Sequence, residues 1–271
     1  VDLDPAVRAT AELETLGDAD IALLAVPAQS VRAITQDLTG ILNVDTPIVI
    51  CAKGIEQCSG ALMAEIVAET LPGHPIAVLS GPTFAAEVAR GLPTAVTIAS
   101  AERAVAAELV ETLGSQTFRP YASDDVVGAE IGGAVKNVIA IACGITEGRR
   151  LGENARAALI TRGLAEITRL CVAKGGRAET MAGLCGLGDL TLTCTSRTSR
   201  NYALGIAIGR GERLADVLAG RHSVVEGVAT AAAVTALAAR LGVEMPIANA
   251  VADVLHRGAD IDATIAALLA R

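Results

Sequence analysis

Four short apolar runs, each followed by a helical pattern, do most to limit what this chain can fold into. They are Ile21–Val26, Pro47–Cys51, Ile76–Leu79 and Ala95–Ala99. Each is apolar along its length instead of alternating. Such runs, separated by helices, make strands covered on both faces, which predicts a parallel, doubly wound sheet. The helical patterns between them carry Val31, Ile34 and Leu38, then Leu62, Ile66 and Leu71. A short helix to Arg90 and a fourth over Ala101–Leu113 follow, and Thr117–Tyr121 adds a fifth, edge strand.

In open α/β sheets, ligands bind outside the carboxyl ends of the strands. Three oddly composed turns stand at such ends: Val26-Pro27-Ala28, Ala52-Lys53-Gly54 and Ser80-Gly81-Pro82-Thr83. They are expected to line one edge of one crevice. Lys53 is a lone cation there, readable either as a charge facing the crevice or as an ordinary loop lysine.

At Ser123-Asp124-Asp125 the pattern changes, and no strand pattern follows. Helices are predicted over Val126–Gly144, Asn154–Lys174, Arg177–Leu184, Tyr202–Gly209, Leu214–Ala219, Val228–Leu241 and Ile247–Leu255, with a last one from Ile261. Asn154 reads as an N-cap and Gly175 as a stop. The chain therefore divides into an α/β part, residues 1–123, and an all-α part, residues 124–271.

Composition narrows the chemistry. Aromatic residues make up 1 % of the 271, with no Trp. That leaves no stacking platform for single-stranded nucleic acid. The net charge of −8 speaks against binding DNA or acidic membranes. An anionic ligand would need a local basic cluster. The six cysteines form no C-x-x-C pair and there are three histidines, so no metal site is expected. Cysteines in apolar patterns suit a reducing, cytoplasmic compartment. No run of 18 apolar residues occurs, and the longest candidate is residues 228–239, so no membrane span is expected. The Ala-rich helices suit a homodimer interface as well as an interior.

Three stretches carry unusual chemistry. In Gly132-Gly133-Ala134-Val135-Lys136-Asn137, a lysine interrupts a helix of small and apolar residues. Lys136 lies about 100° round the helix from Val135, at the edge of an apolar stripe. Two glycines there cost roughly 1 kcal/mol each, which implies that something approaches closely. Desolvation would lower the lysine's pKa towards that of a general acid/base. The alternative is a lysine snorkelling out of a core helix. In Gly183–Thr193, three glycines let a non-helical backbone turn tightly and present Asp189 and Thr193. In Ser196-Arg197-Thr198-Ser199-Arg200-Asn201, two arginines precede a helix. Arg197 reads as a solvated loop residue, Arg200 and Asn201 as an anion site.

Together with Asn154-Ala155-Arg156, Val224-Val225-Glu226-Gly227 and Val243-Glu244-Met245-Pro246-Ile247, these motifs stand in an order that resembles the bacterial NAD(P)-dependent sn-glycerol-3-phosphate dehydrogenase family. The resemblance runs from about Asp18 to the C-terminus. It implies a Rossmann-like sheet domain followed by a helical substrate domain. It implies reversible reduction of dihydroxyacetone phosphate with NADH or NADPH to sn-glycerol 3-phosphate, which feeds glycerophospholipid synthesis. By the same resemblance Lys136 is the catalytic acid/base and Lys53 touches both substrate and cofactor. Gly81, Thr83, Asp189, Ser199, Arg200 and Asn201 contact substrate. Ala85, Arg200, Val224 and Glu226 contact cofactor. Asp189 and Thr193 would orient Lys136 or a substrate hydroxyl.

Two departures stand out. Ala203 occupies a position where the family often has a basic residue. The Gly-x-Gly-x-x-Gly fingerprint after a first strand is not in the sequence. Compared with the family, roughly the first two βαβ segments are expected to precede Val1. The competing readings are another dehydrogenase with a helical domain, of the 3-hydroxy-acid or ketopantoate type, and a non-catalytic binding or dimerisation module.

Overall fold

A computed structural model describes residues 5–220 and 223–270. Strands β1 (Ala22–Leu24), β2 (Ile48–Ile50), β3 (Ile76–Ser80), β4 (Thr94–Ala99) and β5 (Phe118–Ser123) form one sheet in the order β1-β2-β3-β4-β5. Helices α1 (Val31–Asp37), α2 (Met63–Thr70), α3 (Ala85–Val88) and α4 (Arg103–Leu113) connect them. The apolar runs become buried strands where both faces are covered. Ile48, Val49 and Ile50 of β2 are fully buried. Leu24, Val31, Ile66 and Val78 pack on one face of the sheet, and Leu109 of α4 packs with Val49, Ala77 and Ile98 on the other.

The sheet is mixed, which corrects the expectation of an all-parallel one. β1, β2 and β3 are parallel, but β3 and β4 are antiparallel, with Val78 opposite Ala99 and Ser80 opposite Thr97. β5 then runs parallel to β4. A parallel return needs a crossover that spans the sheet. Between β3 and β4 the only helix is the four-residue α3, too short to recross, so the chain turns back at the same edge.

This reversal decides where the next helix begins. β5 ends at the edge opposite the crevice, and α5 (Val126–Gly148) starts there. Asp125 caps it, accepting from Gly128 N at 2.9 Å and, through its other oxygen, from Arg177 N at 3.0 Å. The rise from Asp125 to Lys136 is about 16 Å, close to the length of a five-residue strand. Lys136 is thereby carried to the carboxyl end of β3.

α5 is buried without a break from Gly128 to Thr146. It is the one helix among the described residues long and apolar enough to cross a membrane, and 89 % of its most apolar window lies inside the fold. The apolar-run reading points instead to residues 228–239, because Glu130 and Lys136 interrupt the α5 run. Around α5 pack α6 (Glu153–Ala173), α7 (Asp189–Thr195), α8 (Arg200–Gly209), α10 (Glu226–Leu241) and α11 (Pro246–His256), with α9 (Leu214–Ala219) against α8 and α12 (Ile261–Leu269) against α11.

The α5–α8 crossing is made backbone to backbone. A Cβ on Gly144 would sit 2.2 Å from the Tyr202 carbonyl oxygen, and one on Gly205 2.2 Å from that of Ile141. Gly148 and Gly209 repeat the arrangement one turn on.

Three local expectations are corrected. α6 is preceded by Gly152 at φ +88°, with no side-chain cap, and Asn154 lies inside its first turn. The predicted helix over 177–184 is only a short 3-10 turn, Ala178–Ala182. The glycine-rich stretch after it is helical: Gly188 N bonds to Gly183 O at 3.1 Å in one wide i→i+5 turn that runs into α7. The small residues let this turn press against its neighbours, since a Cβ on Gly186 would lie 2.2 Å from Met181 O.

Candidate active site

The wide turn at Gly183–Gly188 delivers Asp189, fully buried at the first position of α7, against the middle of α5. The close approach implied by the two glycines of α5 is real. A Cβ on Gly132 would lie 2.3 Å from the Cys185 carbonyl oxygen, and one on Gly133 2.8 Å from Ser80 Oγ and 3.5 Å from Cγ of Lys53. α5 can therefore lie directly on both the wide turn and the end of β3.

Asp189 bridges two lysines. Its Oδ1 accepts from Nζ of Lys136, and its Oδ2 accepts from Nζ of Lys53 at 2.8 Å. Lys136 Nζ also donates to Thr193 Oγ1 at 3.0 Å, and Thr193 Oγ1 donates to Asp189 Oδ1 at 3.3 Å. Lys53 Nζ donates further to Gly81 O at 3.1 Å. Lys136 is 6 % exposed, so it does not snorkel. Burial, then the positive charge of Lys53, push its pKa down to about 7, against the opposing pull of Asp189. An amine so poised exchanges a proton near neutral pH.

A second buried chain of polar groups joins α5, α8 and α10. Asn201 Nδ2 donates to Asn137 Oδ1 at 2.8 Å, and Gly227 N donates to Asn201 Oδ1 at 2.9 Å. Asn137 Nδ2 reaches the Lys53 carbonyl at 3.4 Å. Sequence reasoning reads Asn201 as an anion ligand; here one N–H and one lone pair of its amide are engaged within the protein. Asn137 was not singled out, although its place directly after Lys136 was a usable signal.

Thr83 is half-buried and bonds to Gly81 O at 3.3 Å. Ser199 is buried and caps α8, accepting from Tyr202 N at 3.3 Å. Arg200, the first residue of α8, is exposed. Arg197 is exposed and pairs with Glu147 at 3.3 Å. Ala85 is exposed at the start of α3, and Val224 is 50 % exposed.

Glu226 opens α10 and accepts from Ala28 N at 3.1 Å through Oε1. Burial raises its pKa, opposed by that bond and by Arg200. Its Oε2 and the Thr230 hydroxyl are buried without a hydrogen-bond partner. Both lie 3.5 Å from the point where a Cβ on Gly54 would sit. Ser80 Oγ is likewise unpartnered. Ser80 opens one of the three strand-end turns, whereas no sequence signal marks Thr230. Two orphaned polar groups beside the Lys53 turn fit a ligand with hydrogen-bonding edges, such as a carboxamide.

Comparison with known proteins bears on this geometry. A family model described as NAD-dependent glycerol-3-phosphate dehydrogenase C-terminus matches residues 125–266, and the corresponding N-terminus model matches residues 1–106. The chain is 58 % identical over 272 residues to a glycerol-3-phosphate dehydrogenase [NAD(P)+] of Rhodospirillum rubrum, covering 100 % of this chain and 78 % of that relative. The crystal structure of glycerol-3-phosphate dehydrogenase from Coxiella burnetii is similar, with TM-score 0.92 and 41 % identity over 96 % of this chain and 80 % of that one. A ketopantoate reductase from Ralstonia eutropha, at 15 % identity and TM-score 0.53, covering 90 % of this chain and 76 % of that one, shares the fold alone.

Proposed function

The chain belongs to the NAD-dependent glycerol-3-phosphate dehydrogenase family, and from that premise we propose how its residues carry out the reaction. It is an NAD(P)-dependent oxidoreductase that interconverts dihydroxyacetone phosphate and sn-glycerol 3-phosphate. The observation that carries the residue assignment is the single buried carboxylate of Asp189 held between Lys136 and Lys53.

When bound, the nicotinamide cofactor supplies a hydride to the substrate carbonyl carbon and takes one back in the reverse direction. Lys136 gives a proton from Nζ to the carbonyl oxygen as negative charge gathers there. The amine left behind is tolerated because burial has already lowered its pKa to about 7. Lys53 keeps a second positive charge beside that oxygen, which stabilises the transition state more than the neutral ground state. Asp189 and Thr193 hold the Lys136 amine in place. In the reverse direction Lys136 takes the proton from the hydroxyl.

Arg200, at the exposed start of α8, is assigned to the substrate phosphate or the cofactor, with Ser199 and Asn201 holding the turn that presents it. Gly81 and Thr83 line the substrate side, and Ala85, Val224 and Glu226 the cofactor side. The orphaned Glu226 Oε2 and Thr230 Oγ1 support that side. Residues 1–123 belong to the dinucleotide-binding domain and 124–271 to the substrate domain. The six free cysteines support a reducing, cytoplasmic setting.

The test is the initial rate of NADPH and NADH oxidation with dihydroxyacetone phosphate, for the chain and for Lys136→Ala. Turnover that falls about 10²–10⁴-fold in the variant supports the assignment. Turnover unchanged in the variant removes Lys136 from the chemistry.

A further inference from the structure

A cavity lies away from Asp189, at the C-terminal half of α5. Its volume is about 490 Å³, and α5, α6, α11 and α12 enclose it. That is within the range of about 300–1,000 Å³ found for small-molecule sites. None of Lys53, Lys136, Asp189 or Thr193 lines it.

The wall is apolar by design of the helices. α12 turns Ile261, Thr264, Ile265 and Leu268 towards it, spaced i, i+3, i+4 and i+7. These are the half-buried residues of a helix whose other positions are exposed. α12 is a well-formed helix, capped by Asp260 on Ala263 N at 2.8 Å, yet none of its side chains is fully buried. Its apolar stripe faces a space where a packed core would normally stand. Ile145, Leu159, Val251 and Val254 face the same space from the other helices.

The polar atoms in the wall are already occupied. Thr146 bonds to Ala142 O at 3.0 Å and Thr264 to Asp260 O at 2.6 Å. Glu166 accepts from Ile247 N at 2.7 Å and Ala248 N at 3.2 Å, capping α11. Water needs two to four polar partners to stay in a buried site, so these walls favour an apolar occupant.

The mouth carries charges of both signs, with Glu166 in the cavity wall and Glu244 in the adjoining groove beside the arginines. Arg162 lines the cavity and also an adjoining open groove that holds Arg169. The two arginines lie seven residues apart on α6, on one face. Arg162 is exposed, and Arg169 donates to Glu244 O at 2.9 Å. Glu166 stands between them, and both arginines favour its charged form against burial, which raises its pKa. An anionic head at the rim would meet Arg162 first.

We propose that this cavity binds a single-chain anionic amphiphile of the fatty-carboxylate kind, its chain under α12 and its head on Arg162. The site is separate from the one assigned to the dehydrogenase reaction, and its test reads binding, not turnover.

The experiment is calorimetric titration of the purified chain with decanoate, with decanol and with acetate. One saturable decanoate site per chain is expected, with decanol at least 10-fold weaker and acetate without effect. Arg162→Ala weakens decanoate about 10-fold and leaves decanol unchanged. Ala155→Phe and Ala250→Phe, which fill the space, abolish decanoate binding while circular dichroism shows both folded. Absence of saturable decanoate binding, or binding untouched by both filling variants, overturns the proposal. So does a sedimentation mass of two chains that falls to one in the filling variants, which assigns the cavity to a second copy of this chain.

Discussion

Lys136 and Lys53 hold opposite oxygens of one carboxylate, so Asp189 stands as an anion between two ammonium groups, one carried by α5 and one by a strand end. In the role proposed for Lys136, reduction of the carbonyl needs its amine protonated. With its pKa at about 7, kcat/KM for reduction should fall as pH rises through about 7. For oxidation it should rise over the same range. Rate profiles in both directions check this, and parallel profiles would remove Lys136 from proton transfer.

Asp189→Asn takes away the charge that does most to hold the Lys136 pKa up. Burial and Lys53, the two largest influences on it, then dominate, and the reduction limb should move to lower pH. Its position in the variant is the measurement. A limb that stays in place, or moves up, contradicts the electrostatic role given to Asp189.

Asn201→Asp keeps the acceptor for Gly227 N but turns the donor to Asn137 into a second acceptor. An unsatisfied buried group of this kind costs about 1–3 kcal/mol. The expected result is a lower urea midpoint together with a lower kcat/KM, because Asn137 also reaches the Lys53 carbonyl. A midpoint equal to that of the parent would show the amide chain to be of no structural weight.

Glu130 is buried under α2, where it accepts from Ala64 N at 2.9 Å, and burial pushes its pKa up to about 8. A carboxyl raised in the folded state contributes stability that is whole below about pH 4.5 and gone above about pH 8. Glu130→Gln has no proton to lose. Urea midpoints at pH 5, 7 and 9 should therefore move in favour of the variant as pH rises. A constant difference across the three would mean that Glu130 does not titrate in the folded protein.

Gly205→Ala places a methyl 2.2 Å from the Ile141 carbonyl. Overpacking at such a contact costs roughly 1–3 kcal/mol, and the thermal midpoint should drop. An unchanged midpoint would mean that the α5–α8 crossing can open without penalty.

The crevice turns and the helical half were legible because they rest on local patterns. Ile48–Ile50 is apolar throughout, and Ile160, Leu164 and Ile167 recur at helical spacing. Lys136 announced itself as a charge among small residues. The direction of β4 was not legible, since an apolar run reads the same either way and the short α3 decides it. The helical turn at Gly183–Gly188 was hidden for a similar reason, because glycines that elsewhere mark loops here let a tight turn pack on Met181. Asn137 and Asn201 stand 64 residues apart, and only the folded chain brings their amides together.

The buried course of α5 has a bearing on how activity is lost. Lys136 sits midway along a helix with no exposed residue from Gly128 to Thr146, and segments of that kind open only with the whole structure. The proton donor proposed here therefore has no melting transition of its own. On heating, turnover and the α5 amide protection should disappear together, while loss of Arg200 from its exposed helix start would show earlier, as a weaker grip on the anionic ligand.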